Sequence, residues 1–202
     1  MKRILSKITP AVKHLFLINI FVYLIISVLD NIFDIRSSIE IFGAYTLISA
    51  EFNPIQILTY MFMHDINVLH IIGNMIFFLL YAPNFERKYG YRLTVISYIF
   101  FGIMSYLCFS IGINREHYVI IGSSGAVIGF CVVFLFNNLR NWKKIIYNVL
   151  VLLLIWGIYS LFQKIEIQYH ITAYGHLGGV IGGIIIFLYI QYKREHINSL
   201  FI

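Results

Sequence analysis

Ser124 and His176 are the residues of this sequence whose types best suit nucleophilic catalysis. Ser124 lies in the glycine-rich run "IGSSGAVIG", and His176 begins the run "HLGGVIGG". A neutral histidine can accept the proton of a serine hydroxyl while the oxygen attacks a carbonyl carbon. The apolar stretches that hold these two residues contain no Asp or Glu. The sequence therefore supports a Ser–His dyad, with no third carboxylate to orient the ring.

His70 and Asn74 form a second polar pair at the start of another apolar stretch. They are four residues apart, so a helix places them on one face. An N–H of His70, the Asn74 amide and the backbone N–H of Ser124 could together stabilise the oxyanion of a tetrahedral intermediate. The structural alternatives are a serine that hydrogen-bonds to its own helix and a His–Asn pair that only joins two helices.

Glycines beside both dyad residues predict that their helices pack closely. His176, Gly179 and Gly183 share one helical face, and small residues let membrane helices approach backbone to backbone. The complementary glycines are Gly122, Gly125 and Gly129. This packing would bring the Ser124 hydroxyl within hydrogen-bond range of His176, although such a strip can also be a packing face alone. Gly178 lies on a different face, and we expect it to tolerate alanine better than Gly179.

The composition predicts an all-α polytopic membrane protein. Hydrophobic residues make up 60% of the chain and charged residues 12%, with a mean hydropathy of +0.83. A membrane helix needs about 20 apolar residues. Six apolar stretches approach that length, and we interpret residues 1–202 as a single membrane domain. They are Val12–Phe33, Leu69–Asn84, Thr94–Ile113, Val119–Asn137, Ile145–Phe162 and Ile171–Tyr192.

The distribution of basic residues predicts the orientation in the membrane. Twelve Lys and Arg lie at the predicted inner ends and three in the outer loops, which favours cytoplasmic N- and C-termini. The net charge of +6 is explained by topology, so we expect no nucleic-acid partner. In this orientation Ser124, His176, His70 and Asn74 lie at a similar shallow depth below the outer face. Ser124 is placed about a turn and a half inside its helix.

With these motifs in this order, the chain resembles the rhomboid family of intramembrane serine proteases. "GSSG" (122–125) matches GxSG and "HLGGVIGG" (176–183) matches HxxGxxxG. "HIIGN" (70–74) matches HxxxN, and "ERKYG" (86–90) resembles ExxxG. The resemblance implies a six-helix bundle with Ser124 as nucleophile, His176 as general base and His70 and Asn74 on the oxyanion side. It also implies a preference for small residues before the cleaved bond and helix-weakening residues after it.

The sequence departs from the family pattern at several positions. Gly175 precedes the base where many members have Ala, and Ile128 replaces an aromatic residue four positions after the nucleophile. Ile55-Gln56 stands where the outer loop often has Trp-Arg. His64 lies six residues before His70, where five is common, and we interpret it as loop structure without a catalytic role.

These features predict an integral protein of the inner or plasma membrane that cleaves transmembrane segments of other proteins near the outer face. The expected partners are those substrates and the lipid bilayer. The residue types call for no metal or cofactor, and Cys108 and Cys131 are interpreted as small apolar residues. Two alternatives are an inactive relative that binds transmembrane helices without cutting them and a small transporter. A transporter is expected to show paired broken helices or charges within the membrane.

Overall fold

The computed structural model describes residues 8–32, 35–65, 68–113, 115–139 and 166–199, together with residues 143 and 146. The elements in these ranges are mostly helices, joined by one short antiparallel strand pair. The helices are α1 (Pro10–Ile32), α2 (Ile35–Phe42), α3 (Gln56–Thr59), α4 (Val68–Tyr89), α5 (Tyr91–Ile113), α6 (Ser124–Asn137) and α7 (Glu166–Ser199). The strands are β1 (Ala44–Tyr45) and β2 (Val119–Ile120).

Four helices of the described residues are long and apolar enough to cross a membrane. The qualifying stretches are Pro10–Leu29, Val68–Tyr89, Tyr91–Ile113 and Ala173–Arg194. The apolar helix α6 is shorter, at 14 residues. Large apolar side chains on α1 face outward, including Phe21 at 64% exposure, as expected for a lipid-facing helix. The protein is therefore an integral membrane protein, and the predicted stretch Ile145–Phe162 lies almost wholly outside the described residues.

The predicted start of the fourth stretch is wrong. Val119–Ile120 forms strand β2, which pairs antiparallel with β1 in the register Ala44 with Ile120 and Tyr45 with Val119. Gly122 then has a φ of +99°, a conformation that is strained for residues with a side chain. This turn separates the strand from α6, so Ser124 is the first residue of its helix. The nucleophile candidate lies at a helix end and not within a helix.

Helix α7 packs against both α5 and α6 along glycine positions. A Cβ at Gly179 would lie 2.3 Å from the Gly125 carbonyl oxygen, and one at Gly183 would lie 2.8 Å from that of Gly129. The predicted glycine contact between these two helices is confirmed. Gly178 does lie on a different face, but that face is also closely packed, since a Cβ there would lie 2.2 Å from the backbone oxygen of Met104 on α5.

Glu86, from the "ERKYG" run, joins α4 to the start of α1. Its two carboxylate oxygens accept hydrogen bonds from the backbone N–H groups of Ala11 and Val12, each at 2.9 Å. The first N–H groups of a helix have no partner within the helix, and a negative charge there is favourable. The side chain is buried at 6% exposure, so this contact fixes the helices together and lies apart from Ser124.

Residues 43–65, the outer segment of the predicted topology, lie on α5 and are held by side-chain hydrogen bonds. Tyr106 donates to the Tyr45 carbonyl at 3.0 Å, and Tyr60 donates to the Gly102 carbonyl at 2.6 Å. Gln56, which stands where the family often has arginine, is buried and donates to the carbonyl oxygens of Glu40 and Ile41, both at 3.4 Å. An uncharged amide therefore ties the loop together at this position.

Candidate active site

The Ser124 hydroxyl and the His176 ring are in contact. His176 Nε2 lies 3.0 Å from Ser124 Oγ, within the range of a hydrogen bond. Ser124 is the first residue of α6 and His176 lies on α7, and both side chains are partly buried. The contact depends on the close glycine packing of the two helices described above. The predicted approach of the two side chains is confirmed, while their catalytic roles remain predictions.

The position of Ser124 at the start of α6 also makes its backbone N–H a candidate hydrogen-bond donor. The first N–H groups of an α-helix lack partners within the helix and carry its positive partial charge. The N–H of Gly122, two residues earlier, donates to the carbonyl of Tyr60 in the outer segment at 2.9 Å. This bond holds the turn before the helix in place. The Ser124 N–H can therefore serve as a fixed donor beside the hydroxyl.

His70 and Asn74, on α4, face the turn that precedes Ser124. A Cβ at Gly122 would lie 2.8 Å from His70 Nε2 and 3.6 Å from Asn74 Nδ2. Only glycine suits this position, because the backbone has a positive φ and the space for a side chain is taken by the two polar groups. The four residues predicted from the sequence thus come from three helices and meet around one turn.

A carboxylate that was not among the predicted site residues lies beside His70. Asp65 Oδ2 is 3.4 Å from His70 Nδ1, and the side chains are 24% and 15% exposed, respectively. Asp65 lies three residues before α4 begins. The Nε2 atom of the His70 ring lies toward Gly122. The acidic group therefore lies next to a residue of the predicted oxyanion side.

His64 is the residue of this site that sequence reasoning missed. His64 does lie in a loop, as interpreted from the sequence, but its side chain is only 2% exposed. Its Nε2 atom lies 3.2 Å from Asn74 Nδ2 and 3.4 Å from Ser123 Oγ. Burial, with a smaller contribution from the neighbouring His70, lowers the pKa of His64 to about 3, so the ring is neutral near pH 7. The signal in the sequence was a second histidine a few residues before the HxxxN run.

Within the part of the chain that the structure describes, no group of three or more His, Cys, Asp or Glu side chains is arranged to hold a metal ion. The arrangement present is a hydroxyl in contact with an imidazole, flanked by amide and imidazole nitrogens. Such a set can activate a serine and stabilise negative charge on a carbonyl oxygen.

Comparisons with known proteins identify the family of this chain. The family model described as the rhomboid domain matches residues 51–193 of the 202-residue chain. The chain is also similar to RHOMBOID-like protein 1 of Arabidopsis thaliana, with 25% identity over 131 residues. That match covers 65% of this chain and 33% of the relative, so the chain spans about a third of the relative's length. The family match covers well over half of the chain, and the protein therefore belongs to the rhomboid family, whose members are intramembrane proteases or inactive relatives of them.

Proposed function

We propose that this protein is an active intramembrane serine endopeptidase. The observation that carries the proposal is the 3.0 Å contact between His176 Nε2 and Ser124 Oγ. An inactive relative that only binds transmembrane helices has no need for this contact. The nearby donors of His70, Asn74 and the Ser124 backbone support the same conclusion, because a serine nucleophile requires donors for the oxyanion.

The proposed reaction follows from these contacts. Ser124 Oγ attacks the carbonyl carbon of the scissile peptide bond while His176 Nε2 accepts the hydroxyl proton. The carbonyl oxygen becomes an oxyanion, and the N–H groups of Asn74, His70 and Ser124 donate to it. His176 then gives its proton to the leaving amine, which breaks the C–N bond and leaves an ester on Ser124. A water molecule, deprotonated by His176, hydrolyses that ester and restores the serine.

The proposed substrates are transmembrane segments of other proteins, cut near the outer face of the inner or plasma membrane. Ser124 begins an apolar helix and His176 lies near the start of the qualifying apolar stretch of α7, which suits a bond at shallow depth. A helical substrate shields its carbonyl carbons, so the segment must unwind locally before attack. The preference for small residues before the bond and helix-weakening residues after it is carried over from the family resemblance.

The experiment that tests this proposal is cleavage of a generic transmembrane substrate by the purified protein in detergent. We expect Ser124→Ala to abolish product formation, because it removes the attacking oxygen. Ser123→Ala is the matched control, since it removes the adjacent hydroxyl and is expected to retain most of the activity. Equal loss in both variants, or cleavage that persists in Ser124→Ala, would show that Ser124 is not the nucleophile.

We further propose six spans with both termini in the cytoplasm. Single cysteine tags at residues 2, 40 and 202 test this arrangement in intact cells. We expect an impermeant thiol reagent to label the tag at Glu40 and to leave the tags at Lys2 and Ile202 unlabelled. A labelled C-terminal tag would mean that the number of spans is odd.

A further inference from the structure

The buried ring of His64 contacts both residues on the oxyanion side of the site: it hydrogen-bonds to Asn74, and its edge-on contact with the His70 ring has a centroid distance of 5.1 Å. His64 lies in the outer segment just before α4, with 2% of its surface exposed. We propose that His64 is a positioning residue that holds the Asn74 side-chain amide with its N–H groups, and not its carbonyl oxygen, toward the reaction site. This inference rests on the proposed protease function, in which Asn74 is a donor to the oxyanion.

The hydrogen bonds of His64 determine which ring nitrogen carries the proton. Nδ1 lies 3.3 Å from the backbone carbonyl oxygen of Phe62, and a carbonyl oxygen can only accept. The proton of the neutral ring is therefore on Nδ1, and Nε2 has a lone pair. Desolvation by burial keeps the ring neutral, so Nε2 is an acceptor throughout the physiological range.

An acceptor at Nε2 selects one of the two orientations of the Asn74 amide. Asn74 Nδ2 lies 3.2 Å from His64 Nε2, and an N–H donated to the lone pair satisfies both buried groups. Rotation of the amide by 180° would place its oxygen against that lone pair, leaving two acceptors face to face. The hydroxyl of Ser123, 3.4 Å from the same nitrogen, can donate to it as well. His64 thus disfavours the rotated amide.

The selected orientation matters because of where the amide nitrogen lies. Asn74 Nδ2 is 3.6 Å from the space where a Cβ of Gly122 would be, close to the turn that presents Ser124. An amide nitrogen has two N–H groups, so one can be donated to His64 while the other remains for the oxyanion. In the rotated amide an oxygen would occupy this place and repel the developing negative charge.

A pair of substitutions at position 64 separates this role from simple packing. His64→Phe keeps the ring volume and removes the acceptor, whereas His64→Gln supplies an amide oxygen as acceptor near the position of Nε2. Loss of a whole oxyanion donor lowers kcat by roughly 10²–10³-fold, so partial misorientation of Asn74 by His64→Phe is expected to lower kcat about tenfold with KM little changed. We expect His64→Gln to stay within about threefold of the wild type, because it restores the acceptor.

A double-mutant cycle with Asn74→Ala gives the sharpest result. If His64 acts through Asn74, His64→Phe has no further effect on kcat once Asn74 is alanine. Effects that multiply in the double variant, or a His64→Gln protein as impaired as His64→Phe, would overturn the proposal. Circular dichroism and thermal unfolding of His64→Phe show whether a loss comes from the fold, and a loss matched by unfolding at the assay temperature would also count against the positioning role.

A second measurement does not depend on cleavage. In protein labelled with ¹⁵N-histidine, the signal missing from His64→Gln identifies His64, and we expect its nitrogen shifts to show a proton on Nδ1. A proton on Nε2 would overturn the inference, since Nε2 could then not accept from Asn74. The Nδ1 tautomer in a protein that cleaves no substrate would support the assignment of the amide orientation and overturn only the proposed protease function.

Discussion

The two sides of the candidate site are built by different physical means. On the Ser124–His176 side, distance is set by sterics, since the backbones of α6 and α7 meet at Gly125 and Gly179 with no room for a Cβ. On the Asn74 side, orientation is set by hydrogen bonds to His64 from the outer segment. Steric contact fixes where a nucleophile and base lie, whereas hydrogen bonding fixes which way an amide points. Substitutions on the two sides are therefore expected to impair activity in different ways.

Gly179→Leu is expected to have the largest effect of the substitutions that touch no catalytic atom. A Cβ at Gly179 already falls 2.3 Å from the Gly125 carbonyl oxygen, and a leucine would push α7 away from α6. Misplacement of about 1 Å can lower a rate on the order of 10²-fold. We expect both cleavage and fluorophosphonate labelling to fall below detection, while circular dichroism shows a helical protein.

Gly73→Ala is the matched control for this steric argument. Gly73 lies on α4, and a Cβ there would meet no atom within 4 Å. We expect this variant to cleave at the wild-type rate. If Gly179→Leu also cleaves at that rate, α6 and α7 do not hold the dyad together at this strip.

Asn74→Ala tests the hydrogen-bonded side and is expected to have the next largest effect. Loss of one oxyanion donor typically lowers kcat by roughly 10²–10³-fold. The dyad contact does not involve Asn74, so we expect KM to change little. Asn84→Ala is a suitable control, because it removes the same type of side chain from an exposed position ten residues further along the same helix. An Asn74→Ala protein with wild-type kcat would exclude the amide from the oxyanion site.

Gly178→Ala is expected to have a smaller effect, mainly on stability. The added Cβ would lie 2.2 Å from the Met104 carbonyl oxygen on α5, and backbone atoms yield less easily than side chains. Overpacking of this kind typically lowers stability by about 1–3 kcal/mol. Thermal unfolding in detergent measures the change in stability, with Gly73→Ala as the control. An unchanged unfolding temperature would show that α5 and α7 do not pack tightly at Gly178.

The sequence was a better guide to the steric side than to the polar side. Helical spacing placed Gly179 and Gly183 on the face of His176, and those residues do meet glycines of α6. Spacing within one helix could not reveal that Gly178 meets a third helix, because that depends on how α5 and α7 cross. The helix start at Ser124 was missed because an apolar run such as "YVII" is compatible with both a buried helix and a strand.

On the Asn74 side of the site, the sequence could predict only the relation between residues that share one helix. His70 and Asn74 share α4, so their common face followed from the four-residue separation. His64 and Asp65 come from the segment before that helix, where no periodicity relates side chains to one another. Their contacts depend on how the outer segment lies on α5, through bonds such as that from Tyr60 to Gly102. Tertiary contacts of this kind cannot be obtained from local sequence patterns.

Labelling with a fluorophosphonate probe tests most directly the claim that His176 activates Ser124. The probe reacts with an activated serine oxygen and needs no knowledge of the natural substrate. We expect a single modified peptide carrying the probe on Ser124, unaffected by EDTA, and we expect His176→Ala to suppress the modification while Ser123→Ala retains it. Labelling of Ser124 that is equally fast without the His176 ring, or no labelling of Ser124 in the folded wild-type protein, would contradict the account.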